Sequence, residues 1–315
     1  MKMESHDRLR RSLLKLPLLA ALPAISSAKS LPLLSGNTQP LPTGNSMERT
    51  LLLKNAECVV CMDADRREIG NASILIKGNK IVAVGEARSL PDSADEIIDL
   101  RGHIVIPGLI NTHHHMYQSL TRAIPAVQNG ELFNWLTHLY PLWQNLTPEM
   151  IHISTQISMA ELMLSGCTTT SDHLYVYPNG CKLDDSIEAA ALMGMRFHAS
   201  RGSMSVGKSL GGLPPDALVE DEAAILKDTQ RVIERYHDDS HGSMLRIVVA
   251  PCSPFSVSRE LMKQSAAMAR SFNVSMHTHL AENDSDIRYS REKFNMTPAQ
   301  YVEDLGWVGP DVWHA

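Results

Sequence analysis

Cysteine is scarce: Cys58, Cys61, Cys167, Cys181 and Cys252 are five residues at irregular spacing in a chain of 315. An odd and uneven set excludes the paired framework of a small disulfide-stapled scaffold. The lone Cys58-Val59-Val60-Cys61 sits in an apolar, strand-like run and reads as strand neighbours rather than a redox or zinc pair. A basic surplus is also missing, since 29 Lys and Arg face 35 Asp and Glu for a formal net charge of −6. Without it, nothing favours nucleic acid or an anionic membrane surface as a partner. Beyond residue 46 there is no apolar run long enough to span a bilayer and no low-complexity tract. What is there is an ordinary globular composition, 43% hydrophobic and 20% charged, in a length that suits one large α/β domain plus a smaller unit.

Residues 1–46 stand apart from the rest. Arg10-Arg11-Ser12-Leu13-Leu14-Lys15 precedes an apolar stretch over residues 16–25, and Ser26-Ser27-Ala28 offers small residues for cleavage. This charged, apolar, small order is that of an export signal, and the twin arginine points to periplasmic delivery of folded cargo. A start at Met47 would instead leave the protein in the cytoplasm. Residues 35–46, rich in Pro, Gly, Asn and Thr, read as a linker.

From residue 47 the pattern becomes structural. Runs over 50–60 and 72–84, the second with Gly78-Asn79 as a turn, predict a small antiparallel β unit across 47–106. Ile104-Val105-Ile106-Pro107-Gly108-Leu109-Ile110 reads as a buried strand. Thereafter strands at 168–172, 196–200, 246–250, 274–279 and from 312 alternate with helices at 148–165, 185–194, 218–237, 258–271 and 297–306. Thr147 and Pro148 supply the cap and first position of the first of these helices. Repeated strand–helix units indicate a parallel sheet across 107–315, either a barrel or a doubly wound sheet.

Residues 202–209, GSMSVGKS, satisfy the Gly-x-x-x-x-Gly-Lys-Ser pattern of a phosphate-binding loop. That pattern works only where a helix starts at the Lys-Ser, so that backbone N–H groups aim at phosphate. Here Ser209-Leu210-Gly211-Gly212-Leu213-Pro214-Pro215 follows, which is loop chemistry. The match is therefore read as incidental.

The histidines carry more. His113-His114-His115 ends one predicted strand, and His277-Thr278-His279-Leu280-Ala281-Glu282 ends another. Alternation along a strand turns His113 and His115 to one face and His114 to the other, so one ion can be shared by the pair. Two such clusters, both at strand C-termini where parallel barrels gather their chemistry, predict a metal site. A different deaminase chemistry is excluded, because none of the fourteen histidines has Glu at the second following position, as the H-x-E zinc base deaminases require.

Pro107-Gly108-Leu109-Ile110-Asn111-Thr112-His113-His114-His115, Gly166-Cys167-Thr168-Thr169-Thr170-Ser171-Asp172-His173 and His277-Thr278-His279-Leu280-Ala281-Glu282 closely resemble the amidohydrolase superfamily. Within it they are similar to the aminohydrolases of purines, pyrimidines and triazines. The stretches 114–123, 201–205 and 211–216 are most similar to 8-oxoguanine deaminases. The resemblance implies an α/β fold, an incomplete (β/α)8 TIM-type barrel with a small N-terminal β-sandwich unit. It implies one divalent metal, Zn2+ or Fe2+, held by His113, His115 and His279, with His277 packed close by. Glu282 would be the general acid/base, and Gln118 and Arg201 would bind the substrate. His173 would orient substrate or fill the rim of the site. The implied reaction is deamination of a small purine-like ring, 8-oxoguanine and water giving urate and ammonia, in a homo-oligomer. A triazine or pterin aminohydrolase is the alternative. The sixth-strand histidine of the family is expected directly after Ala315, and the eighth-strand aspartate has no counterpart, so the sequence reads as a fragment of a longer enzyme or an inactive product.

Overall fold

Alternating apolar residues build the first strands of the computed structural model, which describes residues 49–315. The expected export signal and linker lie outside the described residues. Strand β1 (Thr50–Val60) pairs antiparallel with β2 (Glu68–Lys77), which turns through Gly78 and Asn79 into β3 (Lys80–Glu86). Gly78 has φ +58°, the left-handed region that glycine enters without penalty. On its other side β1 takes the parallel strands β4 (Glu96–Asp99) and β5 (Ile104–Val105), completing a five-stranded mixed sheet.

The second sheet is wholly parallel, in the order β11-β10-β9-β8-β7-β6. Its strands are β6 (Leu109–Asn111), β7 (Cys167–Leu174), β8 (Arg196–Ser203), β9 (Leu245–Pro251), β10 (Met276–Thr278) and β11 (Val312–His314). Between them run α1 (Leu132–Trp143), α2 (Pro148–Leu164), α3 (Leu183–Met193), α4 (Glu222–Tyr236), α5 (Arg259–Ser271), α6 (Asp284–Phe294) and α7 (Pro298–Asp304). Caps fix their starts: Thr147 accepts from Met150 N, Asp221 from Ala224 N, Ser258 from Leu261 N and Thr297 from Gln300 N. Fully buried Trp143, Trp307, Phe197 and Met276 belong to one apolar core, each removing surface worth about 1.5–3 kcal/mol from water.

One contact decides between barrel and open sheet. Trp313 on β11 donates its indole N–H to the Thr112 carbonyl at 3.1 Å, just past β6 at the opposite edge of the sheet. First and last strands can meet only if the sheet curls, so this is barrel-type curvature.

The single buried strand expected over 104–110 is instead two. Pro107 has no N–H to donate, and at Gly108 a Cβ would stand 2.1 Å from Thr168 Oγ1, so the chain breaks there and passes between sheets. Because β6 is an edge strand, Ile110 is 69% exposed rather than buried. Helices α1 and α6 were not anticipated.

Candidate metal centre and active site

Alternation sorts side chains at the strand ends. On β7 and β8, Ser171 Oγ meets Ser200 Oγ at 3.3 Å, and a Cβ at Gly202 would lie 2.8 Å from His173 Cδ2, so Ser171, His173, Ser200 and Gly202 share the inner face. His113 and His115, just beyond β6, and His277 and His279, on and beyond β10, meet the same space. Ring centroids of His113 lie 4.6 Å from His115 and 4.9 Å from His279.

The proton positions follow from carbonyls, which only accept. His115 Nδ1 lies 2.7 Å from the His173 carbonyl, and His279 Nδ1 lies 2.7 Å from the Cys252 carbonyl. His277 Nδ1 lies 2.9 Å from the Trp313 carbonyl. Burial is the main cause that pushes His113, His277 and His279 down to about 4 and His115 well below its ordinary value, so these rings are neutral at pH 7. A neutral imidazole carries one N–H, which leaves Nε2 of His115, His277 and His279 as bare acceptors. His277 Nε2 stands 2.7 Å from His113 Nδ1, which must therefore be the donor, and His113 Nε2 is bare in turn.

The outcome is a convergence of lone pairs. His115 Nε2 lies 3.1 Å from His113 Nε2 and 3.0 Å from His279 Nε2, with no proton between them. Three neutral nitrogen donors at this spacing could hold a divalent cation, which would relieve their mutual repulsion, and zinc suits such ligands. A second group, His113, His173 and His277, also brings ligand atoms within 4.8 Å of one another.

Glu282 lies past β10, after Ala281 at φ +55°. Its own N–H donates to the buried Asp286 carboxylate at 3.2 Å. The side chain keeps contact with solvent, yet desolvation by surrounding protein, joined by the Asp286 charge, pushes its carboxyl up to about 7. The charge of Glu282 is felt by Tyr175 and Cys252, and Tyr175 stacks edge-on 5.1 Å from His115. Gln118 donates to the Tyr175 hydroxyl at 3.2 Å and lines a cavity of about 670 Å³ together with His114, His115 and Trp135.

Two of the expected site residues lie away from the open cavity. Arg201, expected to bind substrate, alternates with Ser200 and Gly202 and so points away from the histidines, toward α4. Only 2% exposed, it donates to Glu220 at 2.8 Å, to Asp228 at 2.8 Å and to the Gly202 carbonyl, with its guanidinium 4.0 Å from the Tyr177 ring centre. Each of its three guanidinium nitrogens already donates within the chain. His173 does not sit at a rim: it is fully buried within β7, donates Nε2–H to the Ala250 carbonyl at 2.8 Å and stacks on His279.

Residues 202–209 behave as their flanking sequence predicts. Only a 3-10 turn (Lys208–Leu210) follows Gly207, and the N–H groups are spent internally, Lys208 on the Pro214 carbonyl and Ser209 on Asp216. A carboxylate thus occupies the place a phosphate would need.

Sequence reasoning missed Asp172, Tyr175 and Trp313. Asp172, fully buried on the outer face of β7, accepts from Met116 N at 2.7 Å, and burial pushes its carboxyl up to about 7. Its place in Ser171-Asp172-His173 was the only available signal.

Residues 104–313 match the family model described as Amidohydrolase family. The chain is 43% identical over 238 residues to the 8-oxoguanine deaminase of Pseudomonas aeruginosa, covering 75% of this chain and 53% of that protein. It is 35% identical over 279 residues to the hydroxydechloroatrazine ethylaminohydrolase of a Pseudomonas species, covering 84% and 58%. Among solved structures, the zinc complex of atrazine chlorohydrolase from Arthrobacter aurescens superposes with a TM-score of 0.78 at 36% identity, over 84% of this chain and 60% of that one. The chain spans about half the length of the curated relatives it matches. A curled parallel sheet, paired histidines at two of its strand ends and a family match across most of the described residues lead to one assignment: the chain belongs to the amidohydrolase family.

Proposed function

We propose that this chain carries the water-activating centre of a hydrolytic deaminase that acts on an aminated purine-like ring, with 8-oxoguanine the substrate best supported. The observation that carries the reading is the convergence of three bare Nε2 atoms, on His113, His115 and His279. These three side chains would hold one divalent ion, zinc by analogy with the superposed complex. Such an ion, when bound, supplies Lewis acidity that makes water nucleophilic near neutral pH.

The chain's own residues do the rest. Glu282, with a carboxyl near 7, takes a proton from the attacking water and passes it to the ring nitrogen. Gln118, at the cavity wall beside His115, meets the ring with its side-chain amide, whose N–H groups exchange the Tyr117 and Tyr175 hydroxyls for a ring carbonyl when substrate binds. A C–O bond forms at the ring carbon bearing the amine, the remaining water proton passes to the exocyclic nitrogen, the C–N bond breaks and ammonia leaves: 8-oxoguanine and water give urate and ammonia. The substrate class follows the 43% identity to an 8-oxoguanine deaminase.

The test is ammonia release by the full chain, supplied with Zn2+, from 8-oxoguanine, guanine, a hydroxylated aminotriazine and a pterin. The expected result is turnover of 8-oxoguanine in preference to the others. Release from the triazine alone overturns the substrate, and a zinc-loaded chain that frees ammonia from none of them overturns the deaminase reading.

A further inference from the structure

We propose that His277 is a positioning residue: it accepts a hydrogen bond from His113 Nδ1 and thereby fixes the tautomer and ring angle with which His113 presents Nε2. Its effect on metal binding rests on the centre proposed above; the hydrogen bond itself does not.

The direction of the bond is set from outside inward. The Trp313 carbonyl can only accept, so His277 Nδ1, 2.9 Å away, carries the proton and Nε2 must accept. His113 Nδ1, 2.7 Å from that Nε2, is the donor, and the lone pair of His113 is sent to Nε2, where His115 and His279 already point theirs. His115 and His279 obtain the same result from backbone carbonyls; His113 alone obtains it from a side chain.

Trp313 makes the support rigid. Its indole stacks on the His277 ring at 4.6 Å between centroids and 18° between planes, and its N–H donates to the carbonyl of Thr112, the residue before His113. One residue of β11 thus holds both the supporting histidine and the backbone leading into the supported one. His277 is fully buried, so water does not compete for its Nε2.

The competing assignment makes His277 a ligand in its own right, with His113 and His173. Distance argues against it. Two nitrogens about 2.05 Å from one tetrahedral ion are roughly 3.3 Å apart. The 3.0 and 3.1 Å contacts of the outer set approach that value, whereas the 2.7 Å contact of His277 is a hydrogen-bond length.

Three forms of the full chain test the proposal: unmodified, His277→Phe, which keeps a ring on Trp313 but has no acceptor, and His277→Gln, which restores one. Zinc affinity is read by competition with a chromophoric chelator, and the His113 tautomer by 15N-edited imidazole NMR on the metal-free chain, assigned with His113→Gln. The expected result is Nδ1–H on His113 in the unmodified chain and in His277→Gln, a tautomer mixture in His277→Phe, and zinc affinity about 10–100-fold lower only in the Phe variant. Unchanged affinity and tautomer in His277→Phe overturns the proposal, as does a Gln variant no better than Phe, which would mean packing. A second zinc per chain, lost in His277→Phe, overturns it in favour of ligation. If the unmodified chain binds no zinc, the proposed function falls while the tautomer reading still decides this hydrogen bond.

Discussion

His115 Nε2 lies 3.0 Å from His279 Nε2, although 164 positions separate the two residues and each ring has committed its proton to a backbone carbonyl. Two acceptors are held face to face by the sheet itself. On the metal centre proposed above, replacing either with Ala removes a ligand outright, so zinc affinity should fall by more than the roughly 10–100-fold that loss of a supporting partner costs. Chelator competition on His115→Ala and His279→Ala measures this; affinity within tenfold of the unmodified chain would refute it.

Glu282 should matter to turnover and not to metal content. Glu282→Gln is expected to lower kcat by about 10²–10⁴ with zinc stoichiometry unchanged. Desolvation, with Asp286, raises this carboxyl to about 7, so the ionised, proton-accepting form grows as pH rises through that value. The kcat/KM profile should therefore ascend near pH 7, and the limb should disappear in the Gln variant.

Asp172 sets a pH dependence of stability. Burial raises its carboxyl from 3.8 to about 7, so between those values the folded chain binds a proton that the unfolded chain has released. Its contribution is full below the unfolded value and is lost as pH rises through about 7. Asp172→Asn, which keeps an acceptor for Met116 N–H, should narrow the difference in melting temperature between pH 5 and pH 8. A variant that loses as much stability over that interval as the unmodified chain contradicts this account.

Arg201 should prove structural. Arg201→Leu removes the cation shared by Glu220 and Asp228 and is expected to cost about 3 kcal/mol. That is the low end for a broken buried pair, because the two carboxylate side chains keep 25% and 29% of their surface in water. Denaturant unfolding reads the loss. Gln118→Ala, by contrast, should raise KM for the ring substrate while leaving the unfolding midpoint in place.

Much of this architecture was legible because local signals agreed with it. The Gly78-Asn79 turn, the Thr147-Pro148 helix start and the apolar strands from residue 167 onward stand where the residues predict. Helix α1 was hidden by Pro141 in its interior and by its weak helix formers, and α6 by a polar composition with few apolar positions to show a period. The break at Pro107-Gly108 was obscured by apolar residues on both sides, since one run can serve two sheets in turn. At the site, the shared face of His113 and His115 was readable from strand alternation, whereas the choice of His279 over His277 came from the family resemblance. The turning away of Arg201 was latent in the same rule, but counting it required knowing that Gly202 faces His173. The link from Trp313 to His277 left no trace in the residues, because its acceptor is a carbonyl whose position depends on how β10 and β11 are registered.

The carbonyls of His173 and Cys252 that aim His115 and His279 belong to the main chain, so no side-chain replacement at those two positions deletes them. A replacement at position 252 that fits the buried space of Cys252 therefore keeps the aim of His279, provided the strand alignment survives. A slip of one residue between neighbouring strands would do what no point substitution there can: between β6 and β7 it would take the His173 carbonyl from His115, between β9 and β10 the Cys252 carbonyl from His279, and leave that imidazole free to rotate.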